Sequence, residues 1–256
     1  MSAGFRLSIT YRIGGRLAYL SHLETVEAMR RIVRRAQLPY AVSEGFSPHM
    51  KAAFGPALPV GASGREERFE VRLTDYVPAA QALQRLQAAA PPNLMPQACA
   101  YVDVAAPAPD VALTLSRWRA RFSGGQSAQA TLLQLQAAFE ALLSRGCIEV
   151  VKVKRGKRKV RRILFEDKLL AGPELAVEGG CVQVEFTTRQ GADGALRPDL
   201  FLDEALKDVA EPPQLLALER LQLFAEEGQG AGEGDAYWDA LREEYALERL
   251  EKWERS

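Results

Sequence analysis

The 256-residue sequence predicts an α+β protein in which one order of elements, strand, helix, strand, strand, helix, strand, occurs twice. Three observations carry this expectation. Apolar residues alternate at period two in several short stretches. They recur at three- and four-residue spacing in others. A Pro/Ala-rich segment, AAPAPD at 105–110, separates the two rounds. The order is the split βαβ, or ferredoxin-like, plan. The expected architecture is therefore two tandem ferredoxin-like (βαββαβ) modules, at 1–104 and 111–227, linked through 105–110. A basic hairpin lies in the second, and 228–256 adds a flexible break and an acidic amphipathic C-terminal helix.

FRLSITYRI (5–13) alternates and is rich in β-branched and aromatic residues, so it reads as a strand. Ser21-His22-Leu23-Glu24 reads as a capping box that starts a helix over 22–37. Leu23, Val26, Met29, Val33 and Ala36 form its buried stripe, Arg30, Arg31, Arg34 and Arg35 project elsewhere, and Pro39 ends it. REERFEVRLTD (65–75) is an alternating strand with Phe69, Val71 and Leu73 on one face. A helix over 77–90 stops at Pro91-Pro92, and 94–104 closes the first round as a strand, with Pro96 favouring an edge. The second round reads as a strand at 111–122, a helix at 127–146, a strand at 147–154 feeding a basic hairpin with Gly156 near its tip, a strand at 181–190, a short helix at 197–206 opened by Pro198, and a strand at 219–227.

Whole-chain chemistry narrows the function classes. Basic and acidic residues number 33 each, so the net charge is zero. The three cysteines, Cys99, Cys147 and Cys181, are widely spaced and include no CxxC pair, so the sequence calls for no metal site and no iron–sulfur cluster. There is no P-loop, no GxGxxG in a βαβ setting, no HExxH and no GxSxG, and no cofactor is expected. No apolar run is long enough to span a bilayer and the N-terminus lacks a signal-peptide core, so a cytoplasmic protein without membrane contact is expected.

The charge is unevenly placed. Residues 152–162, KVKRGKRKVRR, hold eight Lys or Arg and no acid: Lys152, Lys154, Arg155, Lys157, Arg158, Lys159, Arg161 and Arg162. Residues 1–40 hold seven Arg against two Glu, and 211–256 hold twelve acids against five bases. So many like charges within one Debye length repel each other, and a polyanion relieves them, which makes nucleic acid the expected partner. The plainer reading is a solvated hairpin. Trp118 is either a stacking residue beside Arg119 and Arg121 or a core residue. The pairs Glu66-Glu67, Glu226-Glu227 and Glu243-Glu244 read as solvated. A second candidate is the loop SEGFSPHMKAAFG (43–55), with Gly45 free to take positive φ, Phe46 and Phe54 as anchors, and His49 beside Lys51 as a phosphate ligand or acid/base. His22 is the other histidine of the chain; the plainer reading makes His22 a locally hydrogen-bonded helix-start residue and His49 a loop residue on a rigid turn.

Three segments carry a family pattern: Leu20-Ser21-His22-Leu23, then Ser43-Glu44-Gly45-Phe46-Ser47-Pro48-His49, then Leu58-Pro59-Val60-Gly61. With the later Arg197-Pro198-Asp199 they resemble the radical SAM-linked protein family, an uncharacterised bacterial domain family. Members occur alone or joined to the C-terminal side of a radical SAM enzyme, sometimes a cobalamin-binding one. The resemblance implies that any radical SAM chemistry belongs to a separate partner, since the cluster cysteines are absent here, and the residues after about 228 depart from the family core.

Three functions stay open at this point. The first is a non-catalytic RNA-binding module that presents substrate to a radical SAM enzyme. The second is a metal-independent RNA-processing or RNA-modifying enzyme using His22 and His49, with Lys51 on a phosphorane; tandem ferredoxin-like modules resemble, in fold alone, the CRISPR repeat-processing endoribonucleases. The third is a protein-interaction scaffold.

Overall fold

The computed structural model describes residues 4–154, 157–191 and 194–226. The chain is α+β, with one large, mostly antiparallel sheet and several helices. In order the elements are β1 (Phe5–Ile13), α1 (His22–Arg35), β2 (Ala52–Phe54), β3 (Ser63–Leu73), α2 (Ala79–Ala89) and β4 (Leu94–Val102), then α3 (Pro109–Ala112), β5 (Leu115–Ser123), α4 (Ala128–Ser144), β6 (Cys147–Lys154) and β7 (Lys157–Leu164), then α5 (Phe165–Lys168), β8 (Leu169–Glu178), β9 (Cys181–Gly191), β10 (Gly194–Ala195), α6 (Pro198–Leu206) and β11 (Leu215–Phe224). The main sheet runs β10-β9-β5-β11-β3-β1-β4, with β2 beside β3 and β8 beside β9, while β6 and β7 form a separate two-stranded sheet. Each half uses one strand order: β4-β1-β3-β2 in the first and β11-β5-β9-β8 in the second.

Two cores lie under this sheet. Leu7, Ile9, Phe69 and Val71 pack against Met29 and Val33 of α1 and Leu86 of α2. Phe122, Val184 and Phe186 pack against Phe139 of α4 and Phe201 of α6. Full burial of each such side chain contributes about 1.5–3 kcal/mol. Leu58 touches both clusters and bridges them. The halves join where β11 pairs with β3, a short parallel ladder of Glu219 with Ser63 and Arg220 with Gly64.

Local chemistry explains most boundaries. The capping box of α1 is present: Ser21 Oγ accepts from the Glu24 backbone N–H, and the Ser21 backbone N–H donates to the Glu24 carboxylate at 2.8 Å. Ser127 caps α4 with a single bond, its Oγ accepting from the Ala130 backbone N–H at 3.3 Å. Three expectations need correction. Leu23 is not part of the α1 stripe but 76% exposed, and Ile32 joins the stripe instead. The segment expected as a strand from 111 begins as the helical turn α3, and the strand starts at Leu115. β8 was not expected: its Gly172-Pro173 pair breaks the alternation and sits at a register shift on an edge strand, where proline costs no ladder hydrogen bond. Residues 103–107 are held to the first half, since the Arg6 guanidinium donates to the carbonyls of Asp103, Ala106 and Pro107 while paired with buried Glu70. The expected helix at 235–256, and Gly156, lie outside the described residues.

Candidate binding crevice at the seam

The seam between the halves is built around one buried charge. Arg220 is 1% exposed and Glu67 3%. Arg220 Nε donates to Glu67 Oε1 at 2.8 Å, and Nη2 donates to Glu67 Oε2 and, at 2.6 Å, to the Pro56 carbonyl. The guanidinium lies over the Trp118 ring, 5.2 Å from its centroid, and Trp118 Nε1 donates to Thr188 Oγ1 at 3.0 Å. Glu67 sits opposite Tyr11 in the β1–β3 ladder, next to a bulge, and so faces the core. Gly64 makes room for it, since a Cβ there would come within 2.4 Å of the carboxylate. The Glu66-Glu67 pair is thus not a solvated surface: Glu67 is the buried partner of Arg220. Trp118 is a core residue of the seam. Glu226 is also paired, with Arg189.

Family-motif segments gather around this pair. On one side His22, the first residue of α1, stands edge-on to Phe54 with ring centroids 6.3 Å apart, and shares a small cavity with Tyr11, Pro56, Leu58 and Glu67. Partial burial and the Arg220 charge hold its pKa below the usual imidazole value, partly offset by Glu67. Burial and the Glu67 charge push the Tyr11 hydroxyl pKa well up. On the other side a crevice of about 390 Å³ opens between Leu58-Pro59-Val60 and the Ala195–Pro198 segment, floored by Ser116, Trp118, Thr188, Gln190 and Arg220. Arg197 caps α6 and pairs with Asp199, which raises the Arg197 pKa, and Pro198 opens the helix. Gly61 N–H donates to Ala18 O at 2.8 Å and fixes the Leu58–Gly61 turn.

The 43–55 loop makes its own structure. Ser43 Oγ and His49 Nδ1 are 2.8 Å apart, the His49 N–H donates to Ser43 Oγ, and the Ser47 carbonyl lies 3.3 Å from Nδ1. Pro48 precedes the His49 latch, and Gly45 takes φ +116°. Phe54 anchors the loop by stacking on Phe69 at 5.2 Å, but Phe46 is fully exposed and anchors nothing. Lys51 is exposed and pairs with Arg72 through its backbone carbonyl. Among the described residues no hydrogen bond or ring contact joins His49 to His22.

The basic run lies on the β6–β7 hairpin. Its register sets Lys152 opposite Lys159, Lys154 opposite Lys157, Val153 opposite Arg158 and Val150 opposite Arg161. Glu149, the single acid of 147–164, pairs with Arg162 at 2.8 Å. Arg155 lies outside the described residues. The Arg161 guanidinium packs against Gly194, where a Cβ would come within 2.7 Å of Nη1. On α1, Arg30 pairs with Glu27 at 2.6 Å, while Arg31, Arg34 and Arg35 are exposed. On the open face of β5, Arg117 and Arg119 both bind Glu185; burial would raise that carboxyl, but their hydrogen bonds outweigh it and hold its pKa low.

No group of three or more His, Cys, Asp or Glu side chains among the described residues is placed to hold a metal ion. No helix among them is long and apolar enough to cross a membrane.

Fold and seam define an α+β protein with two cores under one mostly antiparallel sheet, closed over a buried arginine–glutamate pair. The chain belongs to a family described as "Uncharacterized protein conserved in bacteria (DUF2344)", whose model matches residues 6–198. No curated protein matches the chain. Among solved structures it is similar to a chain of the "Crystal Structure of a Cbf5-Nop10-Gar1 Complex", with 16% sequence identity and a TM-score of 0.41, over 86% of this chain and 50% of that one. The chain thus spans half the length of that relative.

Proposed function

We propose that this chain is a non-catalytic RNA-binding protein that presents its substrate to a separate radical SAM enzyme. The observation that carries the RNA reading is the hairpin register, with two successive lysine pairs across β6 and β7 outside the main sheet. Like charges directly opposite destabilise a strand pair, and the one acid within the two strands, Glu149, pairs with Arg162. A polyanion offsets that repulsion and releases counterions on binding. Contacts of this kind go to phosphates, so affinity is strongly salt-dependent and sequence preference modest. Exposed Arg31, Arg34 and Arg35 on α1 supply further positive charge.

We read the repeated strand order as two ferredoxin-like modules, 1–104 and 111–227, fused edge to edge through β11 with the hairpin inserted in the second. The radical SAM partner rests on the resemblance of the Ser21-His22, Ser43–His49, Leu58–Gly61 and Arg197–Asp199 segments, and the reading needs no cofactor on this chain and a cytoplasmic setting. The test is binding of mixed-sequence single-stranded RNA across a salt series, with a variant carrying Ala at Lys157, Arg158, Lys159, Arg161 and Arg162. A steep loss of affinity with salt in the native protein, and little binding by the variant, is expected. Equal binding by both, or none by the native protein at low salt, overturns the RNA reading. Failure of the tagged protein to retain an iron–sulfur enzyme from its own cells overturns the partner.

A further inference from the structure

We infer that the seam crevice is a binding site for a single nucleotide unit, one phosphate with one base. Its size falls at the lower end of small-molecule sites, and its walls mix apolar surface with a few fixed polar groups, as such sites do. Among the described residues no carboxylate lines it, while two arginines, Arg197 and Arg220, do. Arg197 commits Nε and Nη2 to Asp199, and Arg220 commits Nε and Nη2 to Glu67 and Pro56. Among the described residues Arg197 Nη1 has no hydrogen-bond partner, so exposed Arg197 is oriented by Asp199 and keeps a donor for an anion, while buried Arg220 adds its positive charge beneath the floor. That is the geometry in which arginine binds phosphate without losing side-chain freedom.

The floor supplies groups to read the edge of a base. Gln190 Nε2 donates to the carbonyls of Asp110 and Leu113, both at 3.2 Å, which fixes the amide and leaves Oε1 as an acceptor. Thr188 accepts from Trp118 and keeps its O–H to donate; the Ser116 hydroxyl lies beside it in the lining. Buried polar groups of this kind cost stability unless a ligand or water satisfies them. Leu58, Pro59 and Val60 give a flat ring an apolar wall. The mouth adjoins the basic hairpin, because Arg161 packs on Gly194, next to Ala195 of the crevice.

Two sources offer this chemistry: a nucleotide turned out of an RNA bound along the hairpin, which rests on the RNA reading above, or a free mononucleotide, which does not. The experiment compares the native protein, the five-alanine hairpin variant, and two crevice variants at exposed positions, Val60→Trp to fill the space and Arg197→Gln to remove a charge. Each is titrated with the four nucleoside 5′-monophosphates and with single-stranded RNA, after thermal melts establish that all four fold. Loss of monophosphate binding by about tenfold in both crevice variants, as one charge-assisted contact predicts, with the hairpin variant unaffected, supports the site and a free nucleotide. RNA binding weakened about tenfold by the crevice variants at unchanged salt slope supports the site and a turned-out nucleotide. If the native protein binds monophosphates but not RNA, the crevice stands and the hairpin reading falls. If RNA binds the crevice variants as it binds the native protein, and monophosphates bind none, the crevice proposal is overturned and the hairpin reading stands.

Discussion

At the seam, Arg220 meets a carboxylate, a carbonyl and the face of Trp118, and almost none of it touches water. On the hairpin, Lys152 and Lys154 stand opposite Lys159 and Lys157, and the one acid in the two strands pairs with Arg162. The first charge is enclosed and answered by the chain itself, so it holds two halves together. The second is set by register alone, like charge opposite like charge along two strands outside the main sheet, and it is this charge that the RNA reading assigns to an outside partner. Net charge, which is zero, hides this division.

The comparison is broken most severely at the seam. Glu67→Ala leaves a buried arginine unpaired and is expected to cost about 3–5 kcal/mol of stability by urea denaturation. A loss under about 1 kcal/mol means that Arg220 finds water and the seam is not sealed. Next comes the α1 cap, which sets His22 beside that pair: Ser21→Ala should cost about 1 kcal/mol, read from the same unfolding curves. The matching change on the hairpin, Glu149→Ala, should leave the unfolding midpoint where it is and tighten RNA binding, because it removes a repulsive carboxylate from an exposed pair. Weaker RNA binding in that variant shows that Glu149 positions the surface and does not oppose it.

The smallest effect is a pH dependence. His22 has its folded pKa below the ordinary value, so the folded state binds fewer protons at this ring than the unfolded chain does. Its contribution is present above pH ~6.5 and lost as pH falls through the lower folded value. His22→Gln should therefore flatten the stability profile between about pH 5 and 7, with no change at pH 8. An unchanged profile means another group titrates there. Cys99 provides a control on burial: its thiol is pushed up to about 12 by desolvation, so in the native protein it should react with a thiol reagent after half-buried Cys147 and Cys181.

Much of the fold was legible because period-two and period-3.6 patterns were clean in the first half. Phe69, Val71 and Leu73 point inward as their alternation requires, and the capping box at Ser21 starts α1 where expected. The same alternation carried one step back from Phe69 puts Glu67 on the buried face, against the general preference of paired acids for solvent. Arg220 left almost no such trace, because its partner lies 153 residues away and only β11 crossing to β3 unites them. β8 is hidden by Gly172-Pro173, and Leu23 escapes the pattern because helical periodicity says which residues share a face but not how much of that face is covered. The crevice was legible only in pieces. Leu58–Gly61 and Arg197–Asp199 each stood out, yet their meeting depends on the seam.

β11 is the last of the described strands to be synthesised, and it lies between β5 and β3 in the middle of the sheet. While a ribosome makes this chain, the edges of β5 and β3 wait for it. At ordinary elongation rates of roughly 5–20 residues per second, the interval from the end of β5 to the start of β11 lasts roughly 5–20 s. Both cores can condense in that time, but as separate pieces with open edges, the state in which β structure aggregates most readily. A nascent chain released before Leu215 would keep the whole charged hairpin and nearly all of both cores, and would lack the strand that makes one protein of them.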